Sequence, residues 1–180
     1  MTDLEQRVAR LEARQEIQDL ATAYGIAVDD RDLPVLEGLF AEDGAFGHAD
    51  GSVDNQGREA IMRFYRERLG EMGATYHYAH NHLVEFDDED NATGVVLSHA
   101  ELDFGGGTYY AGMRYYDTYR RIDGVWQFAE RQLKFLFFMP MTDFVDGALG
   151  ATDRKRFPGQ DPRATDLPEG QASWQEFATG

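Results

Sequence analysis

Residues Tyr115–Phe135 read YYDTYRRIDGVWQFAERQLKF, two aromatic-rich runs parted by Asp123-Gly124. An Asp-Gly pair between such runs marks a two-residue hairpin, since both turn positions adopt positive φ. Antiparallel strands over Thr108–Ile122 and Val125–Phe138 follow, with Ile122 opposite Val125 and Tyr116 opposite Arg131. Of the adjacent Tyr115 and Tyr116, alternation lets only one face the interior, and this register selects Tyr116.

Working outward, Gly105–Gly107 and the DDEDN segment at 87–91 set off two more strands, Tyr76–Phe86 and Ala92–Phe104. Short turn-rich breaks make the four strands consecutive hairpins. The glycine triplet lacks the helix and lysine of a phosphate loop and is read as a turn. Further upstream the periodicity is helical. Thr2 and Glu5 have capping-box spacing, and Leu4, Val8, Leu11, Leu20 and Tyr24 recur at helical intervals to about Val28, with a change near Leu11–Ile17 that predicts a break. Asp32 and Pro34 open a short second helix ending at Asp43-Gly44, and residues 55–73 give a third with Ile61, Phe64, Tyr65 and Leu69 facing inward. Three helices before an antiparallel sheet make an α+β fold with room for a pocket between the layers.

At 180 residues and 42% hydrophobic content the chain can build one core, and its net charge of -16 opposes nucleic-acid phosphates and anionic lipids. Neither nucleic acid nor membrane is expected as a partner. The absence of cysteine excludes disulfides and thiolate chemistry. The N-terminal stretch lacks the apolar core of a signal peptide and no segment has the length of a membrane span, so a cytoplasmic location is expected. Residues 1–139 read as the domain. Residues 140–180, rich in Pro, Gly and acid, read as an extension over that domain or a neighbouring subunit, with Trp174 and Phe177 as anchors and the basic run DRKRF (153–157) solvated.

Three of the five histidines fall in YHYAHNHLVEF, residues 76–86. In a regular strand His80 and His82 share one face and His77 takes the other, which opposes a three-histidine metal site; no metal is expected. If Phe86 lies opposite Ala92, His77 lies opposite Glu101 and diagonal to His99. Those three could form a proton-transfer set on one face, since imidazole titrates near neutral pH and a carboxylate can fix its tautomer. The alternative is a group of partly exposed strand histidines with local hydrogen bonds. A one-residue slip of register separates the set.

The segments ATAYGIAVDDRDLPVLEGLFAEDGAFGHADG (21–51), HYAHN (77–81) and YYDTYRRIDGVWQFAERQLKF (115–135), in this order and spacing, resemble the SnoaL-like branch of the NTF2-like superfamily over roughly Leu11–Phe138. The resemblance implies a cone of three helices on a strongly curved mixed sheet, with an apolar pocket and polar groups at its base. It also implies a first strand near Ala45–Val53. Tyr24, Asp29, His77 and Arg131 match positions of dehydratase-like members. His99 and Asp103 compete for the second-strand pocket position, and Asn81, Glu101 and Tyr116 are the further candidate substrate contacts.

Members of the family include dehydratases, isomerases, cyclases, a dehydrochlorinase and noncatalytic proteins, so the fold leaves the reaction open. The expected chemistry is cofactor-independent: His77, oriented by Asp29, removes a proton; Tyr24 assists the departing oxygen; Arg131 or His99 stabilises negative charge. A dehydratase-like lyase acting on a ring-containing hydroxylated small molecule fits best. Formaldehyde-releasing C–C cleavage of a lignin-type aryl compound, isomerisation of the ketosteroid kind and noncatalytic binding of apolar molecules are the alternatives. A homo-oligomer is expected, trimer before dimer.

Overall fold

The computed structural model describes residues 2–180. Helix α1 spans Asp3–Asp29 and starts on the Thr2/Glu5 capping box. It runs unbroken through Leu11–Ile17, correcting the expected break. Ala13, Ile17, Leu20, Ala21, Tyr24 and Val28 are buried, whereas Leu4, Val8 and Leu11 are exposed, so the change in apolar spacing marks where the helix reaches its core, not where it stops. Asp32 caps α2 (Leu33–Gly38), whose first turn holds Pro34. Chain then enters β1, Phe40–His48, five residues sooner than the Ala45 start that the resemblance implied. Phe40 and Ala41 are completely buried, and that burial favours sheet pairing where a longer α2 was expected. Strand β2 (Asp54–Gln56) and helix α3 (Arg58–Gly70) follow.

Strands β3 (Met72–Phe86), β4 (Asn91–Phe104), β5 (Gly107–Ile122) and β6 (Val125–Pro140) form the expected meander. The sheet has six strands in the order β2-β1-β6-β5-β4-β3. β1 pairs with β6 in parallel and every other pairing is antiparallel, so the sheet is mixed. The β5–β6 turn has Asp123 and Gly124 at φ 52° and 83°, as its sequence requires.

Irregular pairing falls at three places that govern the site: Ala79/His82 between β3 and β4, and Gly112/Met113 and Thr118/Tyr119 between β5 and β6. Each inserts one extra residue, reverses which residues face inward beyond it, and adds to the curvature of the sheet. The helices cover the concave face, α1 along β3 and α3 over β1.

The C-terminal extension lies back on this cone through α4 (Met141–Val145) and a bridge from Lys155 to Phe138, and ends in α5 (Ala172–Thr179), which buries no side chain. Its anchors differ from expectation. Trp174 and Phe177 are 45% and 88% exposed, while Arg154 and Lys155 of the basic run are 6% and 2% exposed. These two cations are buried because each meets carboxylates: Arg154 binds Glu169 at 2.6 Å, and Lys155 binds Asp50 at 2.6 Å and Asp166 at 3.0 Å. Leu167 is fully buried, and Phe157 stacks on Phe138 at 4.2 Å and 15°. Gly105, at φ +61°, leaves room for Pro158, whose ring lies 2.5 Å from where a Cβ would stand. Among the described residues no helix is long and apolar enough to cross a membrane.

Candidate active site

Between the helices and the concave sheet lies a cavity of about 100 Å³, walled by Phe46, Phe64, Phe104, Phe135, Phe138 and Phe157. Its polar lining is Tyr24, His48, Tyr65, Arg68, His77 and Tyr115.

At one side His77, on β3, meets Asp29, the last residue of α1. Asp29 Oδ2 accepts the His77 backbone N–H at 2.7 Å, and Oδ1 accepts from His77 Nδ1 at 2.7 Å and from Thr75 Oγ1 at 2.9 Å. Burial raises the Asp29 pKa, but these hydrogen bonds outweigh it and hold the carboxyl below its ordinary range. An ionised carboxylate only accepts, so the ring proton sits on Nδ1 and Nε2 keeps a free lone pair at the cavity. Arg31, at φ 60°, turns the chain back after α1 and holds the start of β3 through Thr75 Oγ1 (2.8 Å) and the Gly73 carbonyl. Five helical residues separate Tyr24 from Asp29, about 140° around the helix. Both serve one cavity because Asp29 acts from the helix end and does not line the cavity itself.

The floor is a knot of phenols over a buried cation. The Tyr24 and Tyr65 hydroxyls are 2.6 Å apart, and Tyr115 meets the Tyr24 ring edge to face at 5.8 Å. One hydroxyl of the Tyr24/Tyr65 pair donates to the other, which leaves the second O–H free. Burial pushes all three phenols well above their ordinary pKa, so they remain donors. Arg131, 1% exposed, lies 4.1 Å from the Tyr24 ring centroid and 3.9 Å from that of Tyr115. It pairs with Asp117 at 3.2 Å. Asp117 also accepts from Tyr119 at 2.7 Å, and His82 Nε2 lies 2.9 Å from the same Tyr119 hydroxyl. Arg131 Nε and Nη1 have no hydrogen-bond partner and face the aromatic rings instead.

Tyr24, Asp29, His77 and Arg131 are thus brought together around one cavity, and the other candidates are not. The predicted pairing Phe86↔Ala92 is present, but the extra residue between Ala79 and His82 puts His77 opposite Ala100 and Tyr78 opposite His99. His99, Glu101 and Asp103 therefore share the outer face. There His99 Nδ1 lies 2.6 Å from His80 Nε2, and His99 is 3.9 Å from Glu101. The same bulge returns His82 to the inner side with His77, against the strict alternation that paired it with His80, and leaves Asn81 exposed. On β6 the bulge near Ala129 sets Tyr116 opposite Gln132 and Asp117 opposite Arg131. Tyr115 consequently lines the cavity, and Tyr116 faces out against Lys134 at 4.4 Å. Among the described residues no three His, Asp or Glu side chains converge as a metal site would require. Sequence reasoning missed His48, Arg68 and Asp117; Tyr65 had been placed in the core without a role.

Residues 9–132 match the SnoaL-like domain family. The chain is 31% identical over 144 residues to the gamma-hexachlorocyclohexane dehydrochlorinase of Sphingobium indicum, spanning 78% of this chain and 89% of that one. A crystal structure of LinA superposes with a TM-score of 0.69 at 28% identity, covering 74% of this chain and 92% of the other. A putative scytalone dehydratase from Novosphingobium aromaticivorans gives a TM-score of 0.70 at 21% identity over 86% and 99% of the two chains, a likeness of fold. With its six-stranded mixed sheet, helical cover and this match across most of its length, the chain belongs to the SnoaL-like family of NTF2-like proteins.

Proposed function

We propose that this protein is a cofactor-independent lyase that eliminates water from a hydroxylated ring compound. The observation carrying the proposal is the Asp29–His77 dyad, which presents a bare Nε2 to a phenylalanine-walled cavity. His77 Nε2 takes a proton from carbon, the C–H electron pair becomes the new π bond, and the neighbouring C–O bond breaks. Asp29 stabilises the imidazolium so formed. The departing oxygen needs a proton, and the phenols of Tyr24, Tyr65 and Tyr115 hold theirs too tightly to release one. The free O–H of the Tyr24/Tyr65 pair donates a hydrogen bond to the departing oxygen, while the His77 imidazolium returns the proton and water leaves. Arg131 acts through the rings of Tyr24 and Tyr115, favouring negative charge at the floor without touching the substrate. The steps need a base, an acid and donors, all supplied by the chain.

The dehydrochlorinase relative supports elimination as the reaction class, and loss of hydrogen chloride is the second reading. The phenolic floor favours oxygen as the departing atom, because chloride leaves without a proton. We further propose a homo-oligomer, trimer before dimer, joined through the outer sheet face where Tyr76, Tyr78, Leu83 and Leu97 are exposed. Incubation with a panel of single-ring alcohols, aryl-alkyl alcohols and chlorinated rings, read by mass spectrometry, tests the reaction. Loss of water is the expected result. Loss of hydrogen chloride alone selects the second reading; loss of formaldehyde or an isomer of unchanged mass refutes both, and binding without turnover makes the cone a carrier.

A further inference from the structure

The cavity contains a second histidine that the proposed proton transfer does not use. His48 ends β1, and β1 is separated from β3 in the sheet by β6, β5 and β4. Because the sheet is curved, His48 and His77 line the same cavity from opposite sides. The His48 ring is held edge-on against Phe135 at 5.3 Å and 87° and against Phe46 at 6.3 Å and 72°.

A chain of hydrogen bonds runs from this ring to the C-terminal extension. His48 Nδ1 lies 3.2 Å from Ser52 Oγ, which donates to Asp50 Oδ1 at 2.6 Å. Asp50 Oδ2 accepts from Lys155 Nζ at 2.6 Å, and Lys155 also binds Asp166, whose other oxygen accepts the Phe135 N–H at 2.8 Å. Proton counting along the chain settles the tautomer. Asp50 is ionised: burial raises its pKa, but Lys155 and Ser52 hold it far below the ordinary carboxylate range. The hydroxyl proton of Ser52 is thereby committed to Asp50, so the serine oxygen must accept, and His48 Nδ1 must carry the proton. Nε2 is left as a bare acceptor. The charged groups acting on the ring are Asp50, Lys155, Arg68 and Asp166; with burial as the largest influence they leave His48 neutral at pH 7.

We propose that His48 is a second polar contact for the substrate, its Nε2 accepting a hydrogen bond from a hydroxyl on the ring edge away from His77, in a tautomer held by Lys155 of the C-terminal extension. This rests on the ring-compound reading of the cavity and narrows it. An apolar cavity of about 150 Å³ accepts one benzene ring, so about 100 Å³ fits one six-membered ring once Met72 and Met113 in its wall yield. The substrate class is a single ring bearing a hydroxyl beyond the one eliminated. The extension is then part of the site, giving Phe157 to the wall and Lys155 to the acceptor.

Long-range ¹H–¹⁵N correlation of the histidine rings in the intact protein tests this without turnover, with phenol and its non-donating methyl ether anisole as probes. The His48 signals are assigned by His48→Gln. The free protein should show His48 protonated at Nδ1, and phenol should move its Nε2 signal, while anisole should not. Phenol should bind about five- to tenfold tighter than anisole, the worth of one hydrogen bond, and His48→Leu should abolish that preference. Ser52→Ala, at an exposed position, should release the tautomer without burying a charge, and Lys155→Met, which takes the cation from Asp50 and Asp166, should release it by letting Asp50 take up a proton. A proton on Nε2 in the wild type, or phenol shifts confined to His77, overturns the contact. An unchanged tautomer in both Ser52→Ala and Lys155→Met overturns the link to the extension. A positive result with no turnover of any panel compound would leave this contact standing and remove the lyase proposal.

Discussion

His77 reaches the cavity with one nitrogen free, and Asp29 decides which. Asp29→Asn replaces an acceptor by an amide that no longer selects the Nδ1–H tautomer, so kcat should fall by roughly 10²–10⁴ with KM little changed. An equal loss in KM alone would make Asp29 a binding residue. Tyr24→Phe keeps the ring over Arg131 and removes one donor; kcat should fall by up to about 10²-fold, with Tyr65 retaining part of the effect. Activity at the wild-type level would take the phenols out of the reaction. A third outcome concerns pH. Burial pushes His48 and His82 down to about 4, so the folded chain refuses protons that the unfolded chain binds below about 6.5. Their contribution to stability is therefore complete above that value and is lost as pH falls from there toward 4. The melting temperature followed by circular dichroism should decline over this window, and a flat profile would contradict the burial of both rings. That Tyr24, Asp29, His77 and Arg131 meet around one cavity was legible from the resemblance. His48 was not, because its role depends on Ser52, Asp50 and a lysine 105 residues further on.

At the scale of elements, turn chemistry located the meander well: DDEDN, the glycine triplet and Asp-Gly all fall at strand ends. Facing was lost wherever a strand carried an extra residue. A bulge leaves no hydrophobic signature of its own, and one unpaired residue exchanges inside for outside. The choice of Tyr116 over Tyr115, and the grouping of His77 with His99 and Glu101, failed for this single reason. β1 was misplaced because its start, Phe40-Ala41, reads equally well as the end of a helix. The bulge at 79–82 can be tested directly. Deleting Asn81 should force regular pairing and turn either the Thr75/His77 half or the Val84/Phe86 half outward. Exposing the two apolar side chains of the Val84/Phe86 half costs roughly 3–6 kcal/mol, or about 6–24 °C in melting temperature for a chain of this size. A melting temperature unchanged by the deletion would mean that the bulge does not set the facing.

Across the whole molecule, the charge of -16 is partly gathered inward, and the buried cations Arg131, Arg154 and Lys155 hold carboxylates at the cavity floor and along the extension. A short basic run looks solvated in sequence because its acidic partners are distant in the chain; only the fold brings Asp50 to Lys155. Proposed assembly through the outer sheet face predicts a trimer in sedimentation equilibrium at micromolar concentration, and a monomer there would reject it. The account as a whole turns on one lone pair at the cavity wall. Its most direct test is the single-turnover rate of water loss, on whichever ring alcohol the panel identifies, for the wild type and His77→Ala. A fall of ~10²–10⁴-fold, with ring-alcohol binding retained, is the predicted result, and elimination that persists within about threefold in His77→Ala would contradict it.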